Sequence, residues 1–189
     1  MPAMLLKIVQ TGDPVLRTPA RPLSAEEIRS AEIQQLIELM RETMRDAPGV
    51  GLAAPQVGVP LRLVVVEKVD DAFPELVLIN PEIVRSSGKR WVSEGCLSVP
   101  GYQGELFRAE AVVVKALDRQ GKELRIKAPA DSLLSQALEH EIGHLNGNLY
   151  IDNLQSRDDL YRLADIAKRR SAAGDEEARE DDAADSTAP

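Results

Sequence analysis

The stretch Leu138-Glu139-His140-Glu141-Ile142-Gly143-His144-Leu145 constrains this chain more than any other. It contains H-E-x-x-H and holds both histidines of the 189-residue sequence. On an α-helix, positions i and i+4 share a face one turn apart, so His140 and His144 can aim their imidazoles at one metal ion. Glu141 stands beside them, where a carboxylate can take a proton from metal-bound water. The fold must therefore supply a helix here and bring a third ligand from elsewhere. Cys96, the one cysteine, is the candidate, within Glu94-Gly95-Cys96-Leu97-Ser98. A lone cysteine is more often a small buried hydrophobe, so its claim rests on the histidines.

Leu133, Leu134, Ala137, Leu138, Ile142 and Leu145 make the motif helix amphipathic, with Asp131 or Ser132 as its cap and Asn146-Gly147 as its stop. Toward the N-terminus, residues 5–9 read as an edge strand and residues 11–22 as turn and loop. Ser24 and Glu27 form a capping box that opens one helix running to about Asp46, its stripe of Ile28, Ile33, Leu36, Ile37, Met40 and Met44 facing the core. Residues 49–56, Gly-Val-Gly-Leu-Ala-Ala-Pro-Gln, read as a compact loop with little side-chain bulk, which lets a ligand approach the backbone. It lacks the spacing of a phosphate-binding loop. Strands are expected at 61–67, at 75–80 (closed by Asn80-Pro81) and within 82–92 around a turn at 86–88. After the cysteine loop, 93–101, come strands at 104–108, 111–117 and 122–128, the last two joined by a hairpin turn at 118–121. A last helix is expected over 157–170. The class is α+β: a mostly antiparallel sheet packed around a central helix carrying H-E-x-x-H, with an N-terminal and a C-terminal helix.

Net charge is −8, but seven acids and one base after residue 170 carry −6 of it, leaving −2 for residues 1–170. We expect one catalytic domain over 1–170 and a disordered acidic tail over 171–189, which has no large apolar residue to bury. Aromatics are only 3% of the chain, so its core must be aliphatic. No apolar run approaches the ~20 residues of a membrane span. The start, Met1 to Lys7, is too short for a signal peptide, and a single thiol excludes an internal disulfide framework, so a cytoplasmic location is expected.

Three motifs stand together here: Gly49 to Gln56, Glu94 to Ser98 and His140 to His144. In this order they resemble the peptide deformylases, and the similarity covers roughly residues 5–165. The resemblance implies one divalent metal held by Cys96, His140 and His144, typically Fe(II) in the cell, with Zn, Ni or Co able to substitute. It implies that metal-bound hydroxide attacks the formyl carbon of an N-formylmethionyl nascent peptide while Glu141 shuttles the proton. Gln56 and the Leu97 backbone N–H would stabilise the oxyanion, and the products are formate and a free N-terminal methionine. By motif matching, Val50, Val92, Leu133 and Ala137 line the methionine slot, and the loop through Gly51 pairs with the peptide backbone. Glu94 would brace the ligand loop, with Arg108 as its ion-pair partner. The chain departs from the family pattern at Glu139, usually Gln, and at Gly143, usually Asp.

Two other readings compete. A zinc endopeptidase would take its third ligand from Asp152, Asp158 or Asp159. A decayed homologue would serve only as a ribosome-associated binding module. A transient ribosome contact is conceivable through Arg157, Arg162, Lys168, Arg169 and Arg170, although a solvated helix face is the commoner meaning of such charge. A monomer without a direct nucleic-acid site is expected.

Overall fold

In the computed structural model, which describes residues 5–69 and 73–165, the chain is a mixed α/β fold with antiparallel sheets and few helices. Its strands are β1 (Gly51–Ala53), β2 (Leu63–Val66), β3 (Leu76–Ser87), β4 (Arg90–Cys96), β5 (Val99–Arg108), β6 (Ala111–Leu117), β7 (Glu123–Lys127) and β8 (Leu160–Arg162). Its helices are α1 (Ala25–Ile28), α2 (Ala31–Asp46) and α3 (Leu133–Leu145). One sheet runs in the order β1-β2-β3-β6-β7 and a second in the order β4-β5-β8, every pair antiparallel.

Strand β2 shows why its sequence is a continuous apolar run. Side chains alternate across a sheet, and both faces of β2 are covered. Leu63 and Val65 join Ile33, Ile37, Met40 and Met44 of α2, while Val64 and Val66 join Leu134, Ala137, Leu138, Ile142 and Leu145 of α3. All four β2 residues are fully buried. The motif helix is thus seated on the sheet by its leucines and isoleucine, which leaves another face for the histidines.

Several local expectations are corrected. Residues 5–9 form no strand; they are held singly, by Leu6 N–H to Thr43 Oγ1 at 2.9 Å and Val9 N–H to the Gln56 carbonyl at 2.8 Å. The one helix expected from Ser24 to Asp46 is two. Ser24 and Glu27 make their reciprocal capping bonds, but Ser30 then caps a second helix by accepting from Ile33 N–H at 3.2 Å and donating to the Glu27 carbonyl at 2.7 Å. A serine hydroxyl competes with the helical backbone in this way. The loop expected at 49–56 contains β1, which pairs with β2, and a 3₁₀ turn over Ala54–Val57.

Asn80-Pro81 does not close a strand. Strand β3 continues to Ser87, with a register shift between Ile79 and Glu82 at the bulge a proline requires. Asn80 adopts φ 51° there, and its side-chain amide bonds both the N–H and the carbonyl of Leu23. The cysteine loop expected at 93–101 is a hairpin: Cys96 ends β4, and β5 begins at Val99. The last helix does not start at Arg157. A 3₁₀ turn over Arg157–Asp159 leads into β8, which pairs with Tyr102–Gly104, and helix begins only at Leu163. Lys168, Arg169, Arg170 and the acidic stretch 171–189 lie outside the described residues.

Candidate functional site

Ser132 caps α3 by accepting from Ser135 N–H at 3.0 Å, and two turns later the helix presents His140 and His144. Their Nε2 atoms lie 3.3 Å apart, and Cys96 Sγ sits 3.3 Å from His144 Nε2. The ligand atoms of Cys96, His140 and His144 all fall within 4.8 Å of one another, the one such cluster of three among the described residues. Asp152 faces Arg17 and the Leu149 N–H instead, and Asp159 accepts from Ser156 N–H, so neither joins the histidines.

Strand alternation aims Cys96. Along β4, Trp91, Ser93 and Gly95 face solvent, while Val92 and Glu94 point inward and Cys96 follows on their side. Glu94 is thereby buried beneath the histidines. It accepts two bonds from Arg108, Nε to Oε1 at 2.7 Å and Nη2 to Oε2 at 2.8 Å, and its Oε2 also lies 2.8 Å from His140 Nδ1. This fixes the ring so that Nε2 faces the cysteine, the orienting role a carboxylate plays behind a ligating histidine. Burial pushes the Glu94 carboxyl up, but the bonds from Arg108 and His140 outweigh it and hold it below the usual carboxylate range.

The remaining groups are arranged as tightly. Gln56 Oε1 accepts from Ala53 N–H at 2.8 Å, so its amide nitrogen must point the other way, 3.6 Å from Cys96 Sγ and 3.3 Å from Ser98 Oγ. Gly51 exists for Glu141: a Cβ there would stand 2.6 Å from Glu141 Oε1. Burial raises the Glu141 carboxyl to about 7. Burial would lower His140, yet Cys96 and Glu94 raise it, while burial and the charge of His140 hold His144 well below its ordinary value. Glu141 Oε2 and His144 Nδ1 are buried and have no hydrogen-bond partner among the described residues. A sulfur and two imidazoles, backed by a carboxylate, suit a divalent transition metal such as Fe(II), Zn, Ni or Co.

A cleft of about 400 Å³ opens over this cluster. Val50, Gly51, Leu97, Leu133 and Ala137 line it, with Gln56, Cys96, His140 and Glu141 at its floor. Val92 is buried on the side of β4 that carries Glu94 and Cys96, where it packs with Leu16, Val99, Leu106, Leu149 and Tyr150. Reading the sequence also missed residues. Tyr150 stacks on His140 at 6.1 Å between ring centroids, Ser98 accepts from Gln56, and Tyr102 and Leu163 complete the cleft wall. Ser98 lies in a motif already singled out. Nothing local to Tyr150, Tyr102 or Leu163 marks them.

Two departures in the motif helix have visible settings. Glu139 accepts from Ala109 N–H at 2.8 Å and so ties α3 to the segment before β6. Gly143 has nothing within 4 Å of where its Cβ would be.

The family model described as polypeptide deformylase matches residues 5–159. A curated relative, peptide deformylase of Dehalococcoides mccartyi, is 52% identical over 157 residues, covering 83% of this chain and 90% of that protein. Among solved structures, a peptide deformylase from Legionella pneumophila superposes with a TM-score of 0.75 at 44% identity, over 89% of this chain and 98% of that one. The Met-Ala-Ser-bound class I type b peptide deformylase from Acinetobacter baumannii gives 0.75 at 34% identity, over 80% and 99%.

Proposed function

The chain belongs to the polypeptide deformylase family and is an enzyme of that family, and from this premise we propose that it removes the formyl group from N-formylmethionyl nascent peptides by the chemistry of the α3 cleft. The observation that carries the mechanism is the meeting of Cys96, His140 and His144 with Glu141 and Gln56 at the floor of one cleft. Cys96, His140 and His144 hold one divalent ion, Fe(II) in the cell with Zn, Ni or Co able to replace it. When bound, that ion supplies Lewis acidity, which acidifies the attacking water and polarises the formyl carbonyl.

The chain's own residues do the rest. Glu141, buried at the floor of the cleft, accepts the water's proton and returns it to the departing amine nitrogen. Gln56 Nε2, aimed by its bond to the Ala53 N–H, and the Leu97 backbone N–H donate to the oxygen on which charge develops. Glu94 and Arg108 keep His140 in register. Val50, Leu133 and Ala137 take the methionine side chain, and β1, the outermost strand of its sheet, pairs through Gly51 with the extended peptide backbone. The bound Met-Ala-Ser of the Acinetobacter baumannii protein is what such a reaction leaves behind. The catalytic unit ends before the acidic stretch 171–189, as the family match does at residue 159. It acts as a monomer in the cytoplasm and meets ribosomes at most transiently.

The test is metal content together with formate release. Protein purified anaerobically is expected to carry one metal per chain and to release formate from formyl-Met-Ala-Ser with Fe(II) or Ni(II). Glu141→Ala should abolish turnover while metal stays bound, and Cys96→Ser should empty the site. An active, metal-loaded Cys96→Ser would favour the endopeptidase reading. Metal without formate release would point to the endopeptidase or to a binding module.

A further inference from the structure

Residues 9–11 belong to no strand or helix, yet each of them bonds to a loop that carries a proposed oxyanion donor. Val9 N–H donates to the Gln56 carbonyl at 2.8 Å, and Thr11 N–H donates to the Ser98 carbonyl at 2.7 Å. Between them, the Gln10 side-chain nitrogen reaches the Leu97 carbonyl at 3.4 Å and the Ile8 carbonyl at 3.3 Å. Leu97 and Ser98 are the two-residue tip of the β4–β5 hairpin, because Cys96 pairs with Val99. Both carbonyls of that tip are therefore held from outside the hairpin. Ser98 Oγ in turn accepts from the Gln56 side chain at 3.3 Å, and both residues are buried. The segment that makes these bonds is itself fixed at each end. Leu6 N–H is tied to Thr43 of α2, and Leu16 is buried in the core beside Val99. Asp13 N–H donates to the Gln10 carbonyl at 3.1 Å and closes a turn over residues 10–13. Gly12 stands third in that turn at φ 105°, as a type II turn asks of this position.

We propose that residues 9–11 are a strap that sets the two oxyanion donors against each other, with Gln10 and Thr11 as positioning residues that act through Leu97 and Gln56. The inference rests on the deformylase reading and adds to it residues that lie outside the three motifs. A peptide unit is planar and each residue has only two soft dihedrals, so a tip of two residues with both carbonyls held has little freedom to turn its N–H groups. The Leu97 N–H is one of them. The strap reaches the other donor through the Gln56 backbone, which carries the side chain that bonds Ser98. Oxyanion donors work only when they are aimed in advance at the place where charge will stand. Cys96 depends less on the strap, because the pairing of β4 with β5 holds it. The effect of the strap therefore falls on the transition state, where the charge appears, and so on kcat more than on KM.

The experiment measures kcat and KM for formyl-Met-Ala-Ser in the Ni(II)-loaded wild-type chain and in Thr11→Pro, Gln10→Met and Gln10→Lys. Thr11→Pro deletes the N–H that holds Ser98, at the second position of a turn where proline is common. Gln10→Met deletes the side-chain donor at similar size, and Gln10→Lys keeps a donor. Gln10 is exposed, so its variants fold even where the proline disturbs the segment. Thr11→Pro should lower kcat about 10–100-fold, with KM within about twofold of wild type. Gln10→Met should lower kcat about twofold to tenfold, and Gln10→Lys should recover most of that loss. Metal content and calorimetric affinity for the product Met-Ala-Ser should stay at the wild-type level, which a merely loosened fold would not leave intact. A fall in either that matches the fall in kcat overturns the proposal, as does an unchanged kcat in both Thr11→Pro and Gln10→Met. NMR order parameters of the Zn(II)-loaded chain give a readout without turnover. The Leu97 amide and the Gln56 side-chain amide should be as rigid as β4 in the wild type and lose order in Gln10→Met. If that loss is seen but the wild type releases no formate, the reaction is wrong and the strap stands. If formate is released but both variants keep the wild-type kcat, the strap is wrong and the reaction stands.

Discussion

Glu94 and Glu75 each accept paired bonds from an arginine, one inside the molecule and one near its surface. The Glu94 side chain is 3% exposed and that of its partner Arg108 9%. Glu75, just before β3, accepts from Arg41 Nε at 2.5 Å and Nη2 at 2.7 Å and also faces Arg45, with side-chain exposures of 16% for Glu75, 24% for Arg41 and 47% for Arg45. The surface group clamps α2 to the start of β3, and water shares in solvating its charges. The buried pair has no such help, and its desolvation offsets much of its attraction. Its placement has another use: Glu94 sets the ring of His140. Similar chemistry therefore serves stability in one region and orientation in the other.

The largest effect should come from breaking the buried pair. Arg108→Ala leaves Glu94 buried without its counter-charge, at a cost of about 3–5 kcal/mol. Thermal unfolding should show Tm falling by roughly 6–20 °C at about 2–4 °C per kcal/mol. Equilibrium dialysis should show metal affinity weakened about 10–100-fold, because His140 loses its fixed orientation. A Tm within about 2 °C of wild type at this chain length would refute the contrast.

A smaller effect is expected at the surface. Glu75→Gln should cost about 1 kcal/mol at pH 7 with no change in metal content. The bonds from Arg41, opposed by burial, hold Glu75 below the usual carboxylate range. A depressed carboxylate contributes stability above its unfolded pKa and loses it as pH falls through its folded value. Wild-type and variant denaturation midpoints should therefore converge in acid, below the ordinary carboxylate range. A gap that stays constant down to low pH would mean that charge is not what Glu75 contributes.

The smallest change uses neither pair. Gly143→Ala places a methyl where nothing lies within 4 Å, so the helix should gain roughly 0.5–1 kcal/mol with metal stoichiometry unchanged. Denaturant titration would register it as a higher midpoint at unchanged slope. Destabilisation would show that glycine is needed at this point of α3 for a reason other than space.

What local sequence determined is local in its physics. The spacing of His140 and His144, the cap at Ser132, the β-branched run of β2 and the turn at Asp118, whose carboxylate accepts from Gln120 and Lys122 N–H, depend on neighbours within a turn or a hairpin. Where it misled, a distant partner decided. The run 51–53 became a strand because β2 lies alongside it, and β3 ran through Pro81 because a bulge accommodated the missing N–H. Arg157 to Arg162 became turn and strand because β5 offered a free edge. The site divides in the same way. Helical period alone puts His140, Glu141 and His144 together, whereas Cys96 joins them only when β4 crosses α3, 48 residues from His144 in sequence. Pleat parity sends Val92 inward on the side of Glu94 and Cys96. Tyr150 and Leu163 reach the site through packing and strand pairing, which no short-range pattern encodes, because contacts between distant residues are fixed only once the whole chain has closed around its core.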